Sequence, residues 1–494
     1  MRNLQRFPYW RPEHLGAAIP DSEHAVSTAM PTWRDVIDYE EGAARVCDAL
    51  CAGYPRFRLH PAVTALAEGC GKHTPYRHTL PFPSASVARR CISFVRDQCR
   101  NQEDDLGSVQ IGPGQLHYVS VPESAYANLF AFWRHHGEIV SSRQARHALL
   151  GTPPMSGSDQ AKQRLRARLA ELAGACAEDV YLFPSGMAAI STAHRAVTQL
   201  IPARPTVQLG FPYVDTLEIQ KKSGPGVLFL PEGDADDLER ACNLGAGGEI
   251  AAIFCECPTN PLLRVPMLPR LSSRGEAFLV VDNTLDCFDQ LDLLPHTDMV
   301  VTSLTKYFSG VGDVMGGSLV LNAASPRYES LKNWLSQHYE DLLWGDDALA
   351  LELYSRGYQR RMTRVNRNAR TLSDLLRKDP RIQAIHHPSG QNAYDLLRKP
   401  GTVGYGGLFS IILKDPGEST VPFYDALACC KGPSLGTTYT LVSPYTQLAH
   451  YDALSWAQDL GISPWLLRVS TGEEADLAAR FQTALARTPA TIPA

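Results

Sequence analysis

A chain of 494 residues, 44% of them hydrophobic and 20% charged, is long enough for two or three domains around a sizeable core. Its net charge of -5 gives no basic footprint for nucleic acid or an anionic membrane, and no apolar run reaches the length of a bilayer crossing. The twelve cysteines are scattered without zinc-site spacing, and MRNLQRFPYWRPEHLG lacks a signal-peptide core, so reduced thiols in a cytoplasmic protein are expected.

Residues 1–130 are punctuated by Pro and Arg and hold short helical pieces such as WRDVIDYEEGAARVCDALCAG, with no strand–helix alternation. They are expected to form an extension, either an arm around a neighbouring subunit or a cap over a site. From about residue 140 the rhythm changes. QAKQRLRARLAELAGA sets Leu165, Leu169 and Leu172 on one helical face. VYLF, TVQLG, GVLFL, IAAIFCE, AFLVVD and MVVTSL read as short buried strands, with SGMAAISTAHRAVTQL and VDTLEIQKKSG as helices among them. This predicts an α/β domain over 131–355, its central sheet mostly parallel and covered on both faces. The basic helix RRMTRVNRNARTLSDLLRK and the strands GGLFSIIL and LLRVS predict a smaller α+β domain over 356–494.

In open α/β sheets, ligands bind beyond the carboxyl ends of the strands. Standing there are Ser185-Gly186-Met187 at a helix start, Tyr213 after TVQLG, and Asn260 in a Cys-Pro-Thr-Asn-Pro turn. Asp282 follows AFLVV, and Ser303, Thr305 and Lys306 follow MVVT. Singly, each has an ordinary use: a cap, a turn former, a packing ring, a solvated lysine. The glycines of GVGDVMGG precede a further strand and lack the strand-to-helix setting of a dinucleotide loop. Together the residues meet the needs of pyridoxal 5′-phosphate (PLP). Lys306 supplies the Schiff-base amine, and Asp282 the acidic partner of the pyridinium nitrogen. Ser185, Ser303, Thr305 and the N–H groups of Gly186 and Met187 supply a phosphate cradle at a helix N-terminus.

The run S-x-T-K-Y-x-S-G, preceded in order by SGMAAI, CPTNPLLRV and VVDNT, resembles the Cys/Met-metabolism family of fold-type-I PLP enzymes, over roughly residues 140–490. HAVSTAMPTWRDVIDYEEG, GYPRF, PFPSAS and GPSLGTTYTL…PYTQLAHY further resemble fungal cystathionine γ-synthases, including relatives from natural-product pathways. The resemblance implies an aspartate aminotransferase-like fold. It also implies that Tyr213 stacks on the cofactor ring and Asn260 approaches the ring oxygen. Arg468 would grip the substrate α-carboxylate, a bidentate task suited to guanidinium. Ser434 would hold the substrate or Lys306, and Arg143 would reach the phosphate of a neighbouring subunit in a homo-oligomer, dimer or tetramer, with shared sites. The implied reaction is γ-replacement on an O-acyl-L-homoserine, O-acetyl first, through a vinylglycine-type intermediate. The nucleophile would be a thiol such as cysteine or a carbon acid such as acetoacetate; a γ- or β-lyase is the alternative. Two departures concern the second substrate: Ser141 stands where many members have tyrosine, and Tyr439 where bacterial members have glutamate. A catalytically silent scaffold would be expected to lose Lys306, Asp282 or Arg468, and all three are present.

Overall fold

The computed structural model describes residues 2–72, 74, 76–99, 107–402 and 404–488, so residues 489–494 of the expected last domain lie outside it. No helix among the described residues is long and apolar enough to cross a membrane.

Helix α1 (Trp33–Glu40) is started by Thr32, whose side chain accepts from Asp35 N while Asp35 reaches back to the Thr32 N–H. Strand β1 (His78–Phe82), helix α2 (Ala85–Gln98), strands β2 (Ser108–Ile111) and β3 (His117–Val121), and helix α3 (Tyr126–His136) then follow. The three strands form an antiparallel sheet with β3 in the middle. Cys91, Tyr118, Phe132 and Trp133 are buried in its core. The N-terminal part is therefore a packed α+β unit, not the strandless extension expected, and the boundary at 130 falls inside α3. Its strands are illegible as pattern because β1 carries Pro81, a residue that ordinarily argues against a strand.

Helix α4 (Ser142–Leu150) is capped by Ser141 and closed by Gly151 at φ 66°. Helix α5 (Ser158–Ala173) turns Leu165 and Leu169 fully inward, as their spacing requires. The central sheet comprises β4 (Val180–Phe183), β5 (Thr206–Leu209), β6 (Val227–Leu230), β7 (Ala252–Glu256), β8 (Phe278–Asp282), β9 (Met299–Ser303) and β10 (Gly317–Leu321). Their order is β4-β10-β9-β8-β7-β5-β6, with β10 alone antiparallel to its neighbours. Helix α6 (Gly186–Leu200) follows β4, and helix α7 (Val214–Lys222) follows β5. The strands are buried on both sides, which explains why they read as continuous apolar runs.

Helix α8 (Tyr358–Leu376) lays Met362, Val365, Ala369 and Leu372 inward and its arginines largely outward. It packs on a second sheet of β11 (Ile382–His386), β12 (Leu408–Leu413), β13 (Cys430–Lys431), β14 (Leu441–Pro444) and β15 (Leu467–Ser470), ordered β11-β12-β15-β14-β13. Helix α9 (Tyr445–His450) leaves β14.

One buried carboxylate ties the strands that matter most. Asp298, one residue before β9, accepts from Leu279 N of β8 at 2.7 Å and from Arg274 Nη2 at 2.9 Å. Ser325 Oγ donates to its other oxygen at 2.5 Å. Asp298→Ala would strand a buried guanidinium and an N–H group, which costs about 3–5 kcal/mol. A markedly lower urea midpoint is the expected outcome, followed by circular dichroism.

Candidate active site

A cavity of about 820 Å³ opens at the carboxyl ends of the central strands, where the second sheet closes over them. Gly186, Met187, Tyr213, Asn260, Asp282, Ser303, Lys306, Ser434 and Arg468 all line it, so most of the predicted residues converge.

At one end the chain turns from β4 into α6. Ser185 Oγ accepts from Ala188 N at 3.1 Å and donates to Gly137 O at 2.7 Å, so its hydroxyl is fully engaged as a cap. Thr305 Oγ1 accepts from Gly316 N at 3.2 Å and donates to Gly316 O at 3.4 Å. Neither lines the cavity, which corrects the expectation that both hydroxyls face a phosphate. Ser303 Oγ, in contrast, is buried without a partner. The N–H groups of Gly186 and Met187 find no acceptor among the described residues. A Cβ on Gly186 would stand 2.7 Å from the Ser303 Cβ, so glycine is what keeps this cradle open. Unpaired N–H groups at a helix start, with a buried donor hydroxyl beside them, suit a phosphate.

Asp282 ends β8 and faces Glu256, which ends β7. Burial pushes the Asp282 carboxyl above its usual range, opposed by the Thr284 N–H that donates to it at 2.8 Å. Burial, and then the Asp282 charge, push Glu256 up further. Glu256 accepts from Tyr213 N at 2.5 Å and from Asn260 N at 2.9 Å, and thereby fixes two predicted cofactor contacts. The sequence reading did not single out Glu256; its signal was its place at the end of IAAIFCE, level with Asp282.

Lys306 Nζ donates to Ser434 Oγ at 2.8 Å and lies 4.4 Å from the centre of the Tyr54 ring. Burial lowers the proton affinity of the amine; Tyr54 opposes this, and Arg468 and Arg56 add to it. Ser434 adopts φ 79°, a left-handed conformation uncommon outside glycine, which aims its side chain and its carbonyl at different partners. The carbonyl accepts from Arg468 Nη2 at 2.8 Å, while Arg468 Nη1 donates to Asn260 Oδ1 at 3.3 Å. Arg468 is buried, with the Tyr445 ring centre 5.1 Å from its guanidinium carbon.

Arg143 stands off the cavity. It donates to Asp313 O at 2.7 Å and Asp347 Oδ1 at 3.3 Å, captured by two buried acidic residues rather than reaching toward a phosphate. Tyr439 is also absent from the cavity wall: it is buried beside Leu4 and Ile19 and donates to Val311 O at 3.2 Å. The wall does include Tyr54 and Arg56 from the N-terminal part, to which the sequence alone assigned no chemistry. Their signal was GYPRF, a proline-stiffened loop with an arginine among aromatics.

An amine of depressed proton affinity, a buried carboxylate and an anion cradle at the ends of parallel strands define a PLP-dependent enzyme of fold type I. The chain belongs to the Cys/Met metabolism PLP-dependent enzyme family, whose model matches residues 158–486. A second model, for the fungal trans-sulfuration enzyme N-terminal domain, matches residues 62–141. Cystathionine gamma-synthase of Neurospora crassa is 32% identical, over 94% of this chain and 96% of that protein. The cystathionine gamma-synthase-like enzyme iboG1 of Amanita muscaria is 33% identical, over 92% of this chain and 94% of that one. Among solved structures, cystathionine gamma synthase from Xanthomonas oryzae pv. oryzae aligns with a TM-score of 0.58 at 24% identity. That alignment covers 67% of this chain and 87% of the other, and shows the shared fold.

Gly186→Ala is expected to weaken PLP uptake by about tenfold or more (~1.4 kcal/mol), read by fluorescence titration, with little change in melting temperature. In protein freed of PLP, competitive acetylation of Lys306 should reach its half-point below the ordinary lysine pKa of about 10.4, because burial favours the neutral amine.

Proposed function

We propose that the protein catalyses γ-replacement on an O-acyl-L-homoserine, with O-acetyl-L-homoserine as its first substrate. The observation that carries this reading is that one residue, Ser434, receives both Lys306 Nζ and Arg468 Nη2. A guanidinium suited to an α-carboxylate is thereby held beside an amine suited to moving protons at the adjacent carbons.

Arg468 binds the substrate carboxylate and orients the Cα–H bond. Lys306, neutral through burial, takes the Cα proton and then moves a proton at Cβ, with Tyr213 at hand. Bound PLP supplies the electron sink for the charge left on the substrate. Asp282 holds the proton on the ring nitrogen, Tyr213 and Asn260 flank the ring, and Ser303 with the Gly186 and Met187 N–H groups holds the phosphate. The acyloxy group leaves from Cγ, a nucleophile adds there, and the protons return by the same lysine. The nucleophile is a thiol such as cysteine or a carbon acid such as acetoacetate. We place the enzyme in the cytoplasm as a homo-oligomer. The exposed Leu149, Leu150 and Met155 support an apolar contact between copies.

Incubating the PLP-loaded protein with O-acetyl-L-homoserine and either cysteine or acetoacetate, followed by mass spectrometry, tests the reading. A product joining the four-carbon fragment to one of them, with its amino group kept, is expected. Ammonia and a 2-keto acid without a joined product would instead identify a lyase. Arg468→Ala is expected to lower kcat/KM about 100-fold, equivalent to ~2.8 kcal/mol of lost charge-assisted hydrogen bonding.

A further inference from the structure

We propose that each chain completes its own active site with the loop at Tyr54–Arg56, so that the N-terminal part positions the reacting side chains of the same subunit. The inference deepens the reading above, since it rests on the cavity being the place where Lys306 and Tyr213 work.

Arg56 is 2% exposed, deeper than an arginine normally lies without paired acceptors. Its Nη1 donates to Asp215 Oδ2 at 2.5 Å and to the Arg134 carbonyl, and its Nη2 donates to Tyr213 Oη at 2.6 Å. A phenol oxygen that accepts from a guanidinium keeps its own O–H free to donate elsewhere. Arg56 thus sets which hydrogen-bond role Tyr213 plays. Asp215 in turn holds Arg56. It is fully buried, takes Arg134 Nε at 3.1 Å, and has His135 Nδ1 at 2.9 Å, so one carboxylate joins the loop, α3 and α7.

The neighbouring residues anchor the same loop. Trp133 Nε1 donates to Pro55 O at 3.2 Å, and the Arg134 guanidinium lies 4.4 Å from the Phe57 ring centre. So fixed, Tyr54 presents its ring to Lys306 Nζ. A cation–π contact favours the ammonium form, while the Arg56 charge favours the neutral amine, so the loop bears on the lysine from both directions.

The segment that would otherwise serve a neighbouring subunit is engaged within its own chain. Ser141 caps α4, and Arg143 would have to abandon Asp313 and Asp347, which are 2% and 3% exposed. Leaving two buried acidic residues without their cation is strongly unfavourable.

The test reads geometry rather than turnover. A Tyr54→Cys variant in PLP-free form is treated with a short amine-to-thiol crosslinker, resolved on a denaturing gel and digested for peptide mass spectrometry. A link between the introduced thiol and Lys306, found in the single-chain band, supports the proposal. The same link found in a double-chain band overturns it, and so does the absence of that link in either band. A second arm uses the pH dependence of Lys306 acetylation. Arg56→Ala should move its half-point upward by about 0.5 pH unit or more, and Arg56→Lys should bring it back. An unmoved half-point in a variant that melts like the parent overturns the proposal. An intact link with no reaction on O-acetyl-L-homoserine would refute the proposed function and leave this inference standing.

Discussion

Everything chemical in this molecule depends on parallel strands that end at one level. Asp282 lies opposite Glu256 on one side and Val301 on the other, so β7, β8 and β9 deliver their last residues to a common rim. A shift of one residue in that pairing would exchange inward and outward faces and scatter the set. The rim is reinforced where β10 passes under the β4–α6 turn: a Cβ on Gly317 would come within 2.2 Å of Ser185 O. Close passage of that backbone brings Gly186 against Ser303, and the cradle is the space left between them.

The hollow above the rim holds charges under tension. Burial pushes Asp282 and Glu256 toward their neutral forms and Lys306 and Arg468 away from their cationic ones. Opposite charges packed in one low-dielectric space offset part of that cost, and each hydrogen bond there restricts where a side chain can point. The arginine comes from the other sheet: β15 pairs with β12 and β14, which sets Arg468 level with Ser410 and Ser443. The reaction centre is therefore a seam. One sheet brings the acid and the amine, the second brings the carboxylate grip, and Ser434 touches both.

The N-terminal unit changes how that seam is closed. A three-stranded sheet with its own buried core gives the Tyr54–Arg56 loop something rigid to lean on, chiefly through Trp133 and Arg134. The curated relatives share this part of the chain, since their alignments cover more than nine-tenths of it. Pairing across so long a stretch of sequence is entropically expensive in a flexible chain, and a folded platform lowers that cost.

The sequence by itself determined the central sheet and the lysine, because both are written in local, periodic terms. Apolar runs bounded by turns reveal buried strands, and chemistry-bearing residues at their carboxyl ends reveal the rim. Asp282, Asn260, Tyr213, Ser303, Lys306, Ser434 and Arg468 were legible in that way or through the motifs around them. Tertiary structure alone decided which hydroxyls remain free. Ser185 and Thr305 look equivalent to Ser303 in sequence, yet both are engaged by nearby backbone while Ser303 is left unpartnered. It also decided which arginine meets the cavity: Arg143 has buried acidic partners waiting, and Arg56 has Asp215 and Tyr213. A side chain's partner is set by distances across the fold, and residues 157 positions apart carry no mark of their meeting until the chain has closed.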